Sequence, residues 1–236
     1  MLIDLHVYND GNLEALFASA KQRGLDGLAV LGDTSFADLL AVRDAAGNSE
    51  MLGLRGCEVE TNRGRLMCFF GDIEAVVEEG LQFKAEEGNP PAASKVIAAV
   101  NEKGGVVIAA HPYYKQIDNP MGDHIFSLEG IHACEAASPL AAGMQRDLAI
   151  EASESLDLPC VGGSSARNAE HVGLAVTAFA EELSNEADLV KAIKLGHCFA
   201  LMCHDEVPAE ARPSAPARAG QSQGRQRRRR RGPRRD

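Results

Sequence analysis

The chain has 236 residues, 45% hydrophobic and 25% charged, with no tryptophan and few aromatics. This suits one globular domain with a Leu/Val/Ile/Ala core, and at this length an α/β barrel is as plausible as two small domains. No apolar run reaches the ~18 residues that span a membrane, and no basic segment precedes an apolar block as in a secretory leader, so a cytoplasmic location without membrane attachment is expected.

Taken in order, "LIDLHV" is short, apolar and β-rich, and the turn residues "YNDGN" follow it. "LEALFASAKQRG" shows helical spacing of Leu13, Leu16, Phe17 and Ala20 and ends at Gly24. "LDGLAVL" reads as a strand and "SFADLLAVRDAAG" as a helix. Two strands flank the turn "TNRG", and "EAVVEEGLQFKAEEGNPP" is irregular with one short helix. "AASKVIAAVNEKGG" is a helix, "VVIAAHP" and "GIHACEAAS" are strands, and "PLAAGMQRDLAIEASESLD" is a helix. "LPCVGGSS" and "HVGLAVTAF" are strands, "NEADLVKAIKLG" is a helix and "HCFALMC" is a last strand. Such alternation argues for parallel strands joined by crossover helices, first a (β/α) barrel and second a doubly wound sheet. In either, chemistry gathers where strands end and loops begin.

The globular part is expected to span 1–206. Residues 207–236 begin with a Pro/Ala/Ser/Gly/Gln-rich linker that cannot bury enough apolar area to fold, and end in a disordered basic arm. The net charge of −10 hides this division. Residues 1–211 hold 14 basic and 33 acidic side chains, a net −19, while 212–236 hold ten arginines and one aspartate, a net +9. An arm containing Arg227, Arg228, Arg229, Arg230 and Arg231 would bind phosphate-rich partners by counterion release, RNA or DNA first among them. Docking on the acidic body, or solubility alone, are the plainer alternatives. The six cysteines form no CxxC pair and sit mostly in apolar runs, so they read as reduced, buried small hydrophobes.

Side chains two apart on a strand face the same way, so Asp4, His6 and Tyr8 are expected on one face and Ile3, Leu5 and Val7 on the other. Other strand ends carry similar groups: Asp33, Glu58 and Glu60, His111, Glu135, and Ser164, Ser165 and Arg167. One such acid is unremarkable, but several in succession point to a shared site, and histidines converging with carboxylates are metal-ligand chemistry. Across the "TNRG" hairpin, Glu60 should oppose Arg65, so that Glu58, Glu60 and Arg65 look the same way. A satisfied core histidine and a surface ion pair are the bland alternatives. Tyr113 and Tyr114 could cap the mouth or simply pack the loop. His124, His132, His171, His197 and His204 fit no ligand pattern.

In order and spacing, "DLHV…GLDGLAVL…GCEVET…VVIAAHP…GIHACE…VGGSS…DLVKAIKLGHC" resembles the PHP (polymerase and histidinol phosphatase) family over residues 1 to about 203. The resemblance implies a distorted (β/α)7 barrel with divalent metals at the strand C-terminal ends and phosphoester hydrolysis. It also implies a depleted ligand set. His6 matches the first histidine of D-x-H-x-H, and Tyr8 stands at the second. The T-D-H-D stretch is matched by the shorter "LGDT", leaving Asp33. Glu58 matches the metal-bridging glutamate, and Arg65 stands where a histidine follows. His111 matches the A-H-P histidine. The late G-S-D-x-H falls on "GSSAR", which puts Ser165 and Arg167 at ligand positions.

Arginine keeps its proton and is no metal ligand; it pairs with carboxylates or grips phosphate bidentately. Cationic groups are therefore expected to replace metal charge in part, with Arg65, Arg167 and Ser165 on a phosphate or other anion. A trinuclear cluster is not expected. One zinc, manganese or iron ion on His6, Glu58 and His111, with Asp33 as a further candidate, remains open, since three protein ligands can suffice. His111 could serve as general base, with Glu58 beside it. An inactive or impaired domain that binds phosphate-containing ligands or nucleic acid is the first expectation. A residual phosphoesterase for nucleotides or nucleic-acid ends is the second, and an adaptor acting through the arginine arm is the third.

Overall fold

The computed structural model describes residues 1–9, 11–32, 39–85 and 88–203. Asp33, His204, the linker and the arm with Arg227–Arg231 lie outside the described residues.

The order is β1 (Leu2–Tyr8), α1 (Leu13–Gln22), β2 (Gly27–Gly32), α2 (Leu39–Asn48), β3 (Leu52–Thr61), β4 (Gly64–Phe69), α3 (Ile73–Glu78), α4 (Ala93–Glu102), β5 (Val106–Ala109), a 3-10 turn (Gly122–Ser127), β6 (Ala133–Ala137), α5 (Met144–Ser155), β7 (Cys160–Gly162), β8 (Ala175–Phe179), α6 (Glu186–Lys194) and β9 (Cys198–Met202). Local chemistry sets the helix ends. Asn12 caps α1 by accepting from the Ala15 N–H, and Asn185 caps α6 by accepting from that of Asp188, each satisfying an amide without an intrahelical partner. Leu13, Leu16, Phe17 and Ala20 form the buried stripe of α1, as their spacing predicts.

The strands form one sheet in the order β7-β6-β5-β4-β3-β2-β1-β8-β9. It curls until its first and last members nearly meet. Thr177 of β8 exchanges hydrogen bonds with the backbone of Gly162 of β7, both at 2.9 Å. Past β7 the chain ladders onto β1: Tyr8 N–H donates to Ala166 O at 2.8 Å and Ala166 N–H to His6 O at 3.3 Å. The result is a nearly closed, barrel-like sheet. The uniform parallel alternation is corrected: β1–β2, β2–β3, β5–β6 and β6–β7 are parallel, but β3–β4, β4–β5, β1–β8 and β8–β9 are antiparallel. One cause is the tight β3–β4 turn. Gly64 there has φ +91, and a Cβ on it would lie 2.6 Å from that of Met121.

The core lies in layers. One cluster gathers Ile3, Leu5, Leu31, Leu54, Met67, Phe69, Ile108 and Val161 from six strands, which places it inside the barrel, with Leu189 and Ile193 of α6 packed against it. Outside, α1 and α2 cover Val7, Leu28 and Val30, while α4 and α5 cover Val59, Leu66, Val107 and Cys134. No helix among the described residues is long and apolar enough to cross a membrane. Cys57, Cys68, Cys134 and Cys198 are buried as expected, Cys160 is half-buried, and Cys203 is the exposed exception.

β1 departs from the regular strand. The pairing of β1 with β2 shifts register between Asp4 and Val7. Ile3 and Leu5 pack inside the barrel and Val7 packs outside it, so the alternation slips within the strand. His6 and Tyr8 therefore face inward together, but Asp4 does not share their face. A bulge of this kind re-aims side chains and strands a backbone amide. Asp4 takes up that amide, accepting from His6 N–H at 3.2 Å.

Candidate metal and phosphate site

β1, β3, β5 and β6 bring His6, Tyr8, Glu58, His111 and Glu135 together at the C-terminal end of the barrel. The imidazole of His6 is fully buried and held at both nitrogens. Its Nδ1 lies 2.9 Å from Glu135 Oε1, and its Nε2 lies 2.8 Å from the Tyr8 hydroxyl. That hydroxyl donates to Glu58 Oε2 at 2.7 Å. Since its single hydrogen goes to Glu58, the His6 Nε2–H must donate to it, while Nδ1–H donates to Glu135. Burial opposes a charge on His6, yet Tyr8, Glu135 and Glu58 around it hold its pKa well above the ordinary imidazole value. Burial likewise opposes a charge on Glu58, but the imidazoles of His111 and His6 beside it hold its carboxyl well below the usual range. Burial pushes the Tyr8 phenol up to about 12.

His111 follows β5, with its backbone at φ +29, a conformation uncommon for a residue other than glycine. Its amide donates to Glu135 Oε2 at 2.7 Å. One carboxylate thus positions both histidines, whose rings stack with centroids 5.6 Å apart. Glu135 belongs to the site, and the acid at the end of "IHACE" was its signal in the sequence. Asp4 is a strut behind the site. Besides the His6 amide it accepts from Ser164 N–H and Gly173 N–H, both at 2.8 Å, and burial outweighs those bonds to push its pKa to about 6.

A metal fits the donor set. His6, Glu58 and His111 each offer a ligand atom, all within 4.8 Å of one another. Glu58 Oε1 is buried without a hydrogen-bond partner among the described residues, 3.4 Å from His6 Nε2 and 3.6 Å from His111 Nε2. A buried carboxylate oxygen left open between two imidazoles is what a cation would satisfy.

The lip is cationic. Glu60 opposes Arg65 in the hairpin register, as expected. Arg65 Nη1 reaches Glu58 Oε2 at 3.5 Å and its Nη2 lies 3.9 Å from Glu60. The exposed Arg167 stacks on Tyr8, with Cζ 4.0 Å from the ring centroid. Ser165, in the left-handed region at φ +53, sets its hydroxyl 3.3 Å from His6 Nδ1. Tyr113 and Tyr114 are both buried: Tyr113 donates to Asp123 Oδ1 at 3.1 Å, and Tyr114 meets the His111 ring edge-on, so they pack the loop and cap no mouth. His124, His132 and His197 lie outside the cluster, against Arg63, the Val107 amide and Glu181.

Residues 143–198 match the family model described as PHP-associated. That match covers α5, β7, β8 and α6. The fold as a whole is similar to those of solved proteins. PsfC from Pseudomonas syringae superimposes with a TM-score of 0.60 at 18% identity, over 85% of this chain and 91% of that one. A proposed metal-dependent phosphoesterase from Bifidobacterium adolescentis gives 0.55 at 17% identity, over 89% and 98%. An amidohydrolase from Chromobacterium violaceum, solved with sulfate and no metal, gives 0.58 at 16% identity, over 85% and 97%. No curated protein sequence matches the chain. At these identities the likeness is one of fold, and the chemistry rests on the residues above.

Proposed function

We propose that this protein binds phosphate-containing ligands at the C-terminal end of its PHP-type barrel, and that cationic side chains there replace most of the metal charge. Phosphoester hydrolysis is lost or much reduced in this reading. The observation that carries it is the placing of two guanidinium groups at the His6–Glu58–His111 cluster, Arg65 against Glu58 and Arg167 over the ring of Tyr8. Guanidinium groups fork onto phosphate oxygens, and Ser165 offers a neutral donor beside them.

One zinc, manganese or iron ion on His6, Glu58 and His111 belongs to the reading, and when bound it would polarise the phosphoryl group and offset its charge. Glu135 acts as its fixed support, because both of its carboxylate oxygens are engaged. His111 is placed to accept a proton. A trinuclear cluster is not part of the proposal: Arg65 and Arg167 would repel further cations.

Binding of a nucleotide panel and of inorganic phosphate, measured by calorimetry, tests the reading. Arg65→Ala and Arg167→Ala should each weaken it. Affinity unchanged in both variants would sink it.

A second reading, residual metal-dependent hydrolysis of nucleotides or nucleic-acid ends, draws on the open oxygen of Glu58. It predicts metal-stimulated turnover that Glu58→Ala and His111→Ala abolish. The arm at 212–236 is proposed as an RNA- or DNA-holding segment. Its deletion should remove retention on nucleic acid at low salt and leave phosphate binding at the barrel intact.

A further inference from the structure

Tyr8 lies at the centre of this site, and its hydroxyl engages two of the three residues that could hold an ion. It sits 2.8 Å from His6 Nε2 and donates to Glu58 Oε2 at 2.7 Å. A nitrogen whose hydrogen is given to a phenol has no electron pair left for a cation, and a carboxylate oxygen that accepts a hydrogen bond is a poorer ligand for one. The hydroxyl cannot drift away at no cost. Tyr8 is nearly buried, Arg167 lies over its ring at 4.0 Å, and the backbone N–H of Tyr8 is fixed to Ala166 O. Meanwhile Glu58 Oε1 stays open between the two histidines.

We propose that Tyr8 is a built-in competitor of the metal ion: its hydroxyl, latched by Arg167, takes up His6 Nε2 and one oxygen of Glu58 and thereby sets a low affinity for the single ion. An ion enters when the hydroxyl gives way, and an anionic ligand that draws Arg167 off the ring helps it to do so. By reciprocity, bound phosphate then tightens metal binding.

The proposal rests on the single-ion reading of His6, Glu58 and His111, and the experiment separates the two. Zinc binding to the full chain is measured by calorimetry, with cobalt absorption as a second readout of ligation, in wild type, Tyr8→Phe, Arg167→Lys and His111→Ala. Tyr8→Phe keeps the ring and removes the hydroxyl. It is expected to bind zinc about 10- to 100-fold more tightly than wild type, the span set by losing a competing hydrogen bond to a charged group. Arg167→Lys keeps the charge but loosens the stack, and should give a smaller gain; it stands in should Tyr8→Phe fail to fold. Equal or weaker zinc binding in both variants overturns the proposal. If that occurs while His111→Ala still lowers the affinity of wild type, the ligand reading survives alone. Zinc affinity indifferent to His111→Ala would sink the ligand reading and this proposal with it.

Discussion

His6 Nδ1 meets Glu135 Oε1 at 2.9 Å, and neither side chain is exposed. The second oxygen of Glu135 accepts the His111 amide at 2.7 Å, so one carboxylate fixes both histidines of the site. Removing one member of a buried pair leaves the other uncompensated. Glu135→Ala is expected to lower unfolding free energy by about 3–5 kcal/mol. Glu135→Gln keeps the shape and a weaker contact, and about 1–3 kcal/mol is expected. Urea denaturation monitored by circular dichroism reads both, and a loss near zero for Glu135→Ala would show that the pair is not the support described.

Three groups bias stability toward mildly acidic pH in chelator-treated protein. Asp4 has its pKa raised to about 6, so the folded state holds that proton longer than the unfolded chain does, and Asp4 costs stability as pH rises from about 4 through 6. His6 has a raised pKa, so its contribution is complete below about 6.5 and fades as pH climbs through its folded value. Glu58 has a lowered pKa, so its contribution is present above about 4.5 and is lost as pH falls below that. Tm is therefore expected to rise from pH 8 to about 5 and then drop. Glu58→Gln should soften the acid-side drop, and a wild-type Tm that peaks above pH 7 would contradict the assignment.

Gly163 is a packing test of the site. A Cβ there would lie 2.4 Å from that of His6 and 2.8 Å from its backbone nitrogen, with Glu135 Oε1 close by. Gly163→Ala should push His6 out of line, lowering stability by about 1–3 kcal/mol through overpacking and weakening zinc binding. Gly47, in α2, has open space around it and no unusual φ. Gly47→Ala should be neutral or stabilise by up to about 1 kcal/mol. Equal effects at the two positions would argue against the close approach at His6.

Away from the mouth, Arg55 is almost wholly buried on β3 and donates through Nε to Glu186 Oε1 at 2.5 Å, with Glu74 at 3.3 Å from its Nη2. Arg55→Ala should cost about 3–5 kcal/mol, because Glu186 would keep its charge in the dark. Arg55→Met combined with Glu186→Leu should lose clearly less than the two single changes summed. Thermal melts of the four proteins give the cycle, and strict additivity would mean that the pair is not coupled.

Much of the architecture is legible in the order of the residues. Among the described residues, each of the nine strands and six helices has its periodic segment, because the helices carry a 3.6-residue stripe and the strands are short apolar runs with turn residues between them. The register of Glu60 on Arg65 followed from the length of the hairpin loop, and His6, Glu58 and His111 converge because strand ends in a barrel-like sheet do so. Tertiary structure alone decided the rest. The bulge in β1 turns Asp4 away from His6 and Tyr8, since that register depends on how β1 pairs with β2 and on which amide Asp4 must satisfy. Four antiparallel pairings interrupt the parallel pattern, and no local periodicity encodes strand direction. Glu135 became the support of two histidines, and the Tyr8 hydroxyl came to lie between His6 and Glu58, only because residues up to 129 positions apart meet inside the barrel.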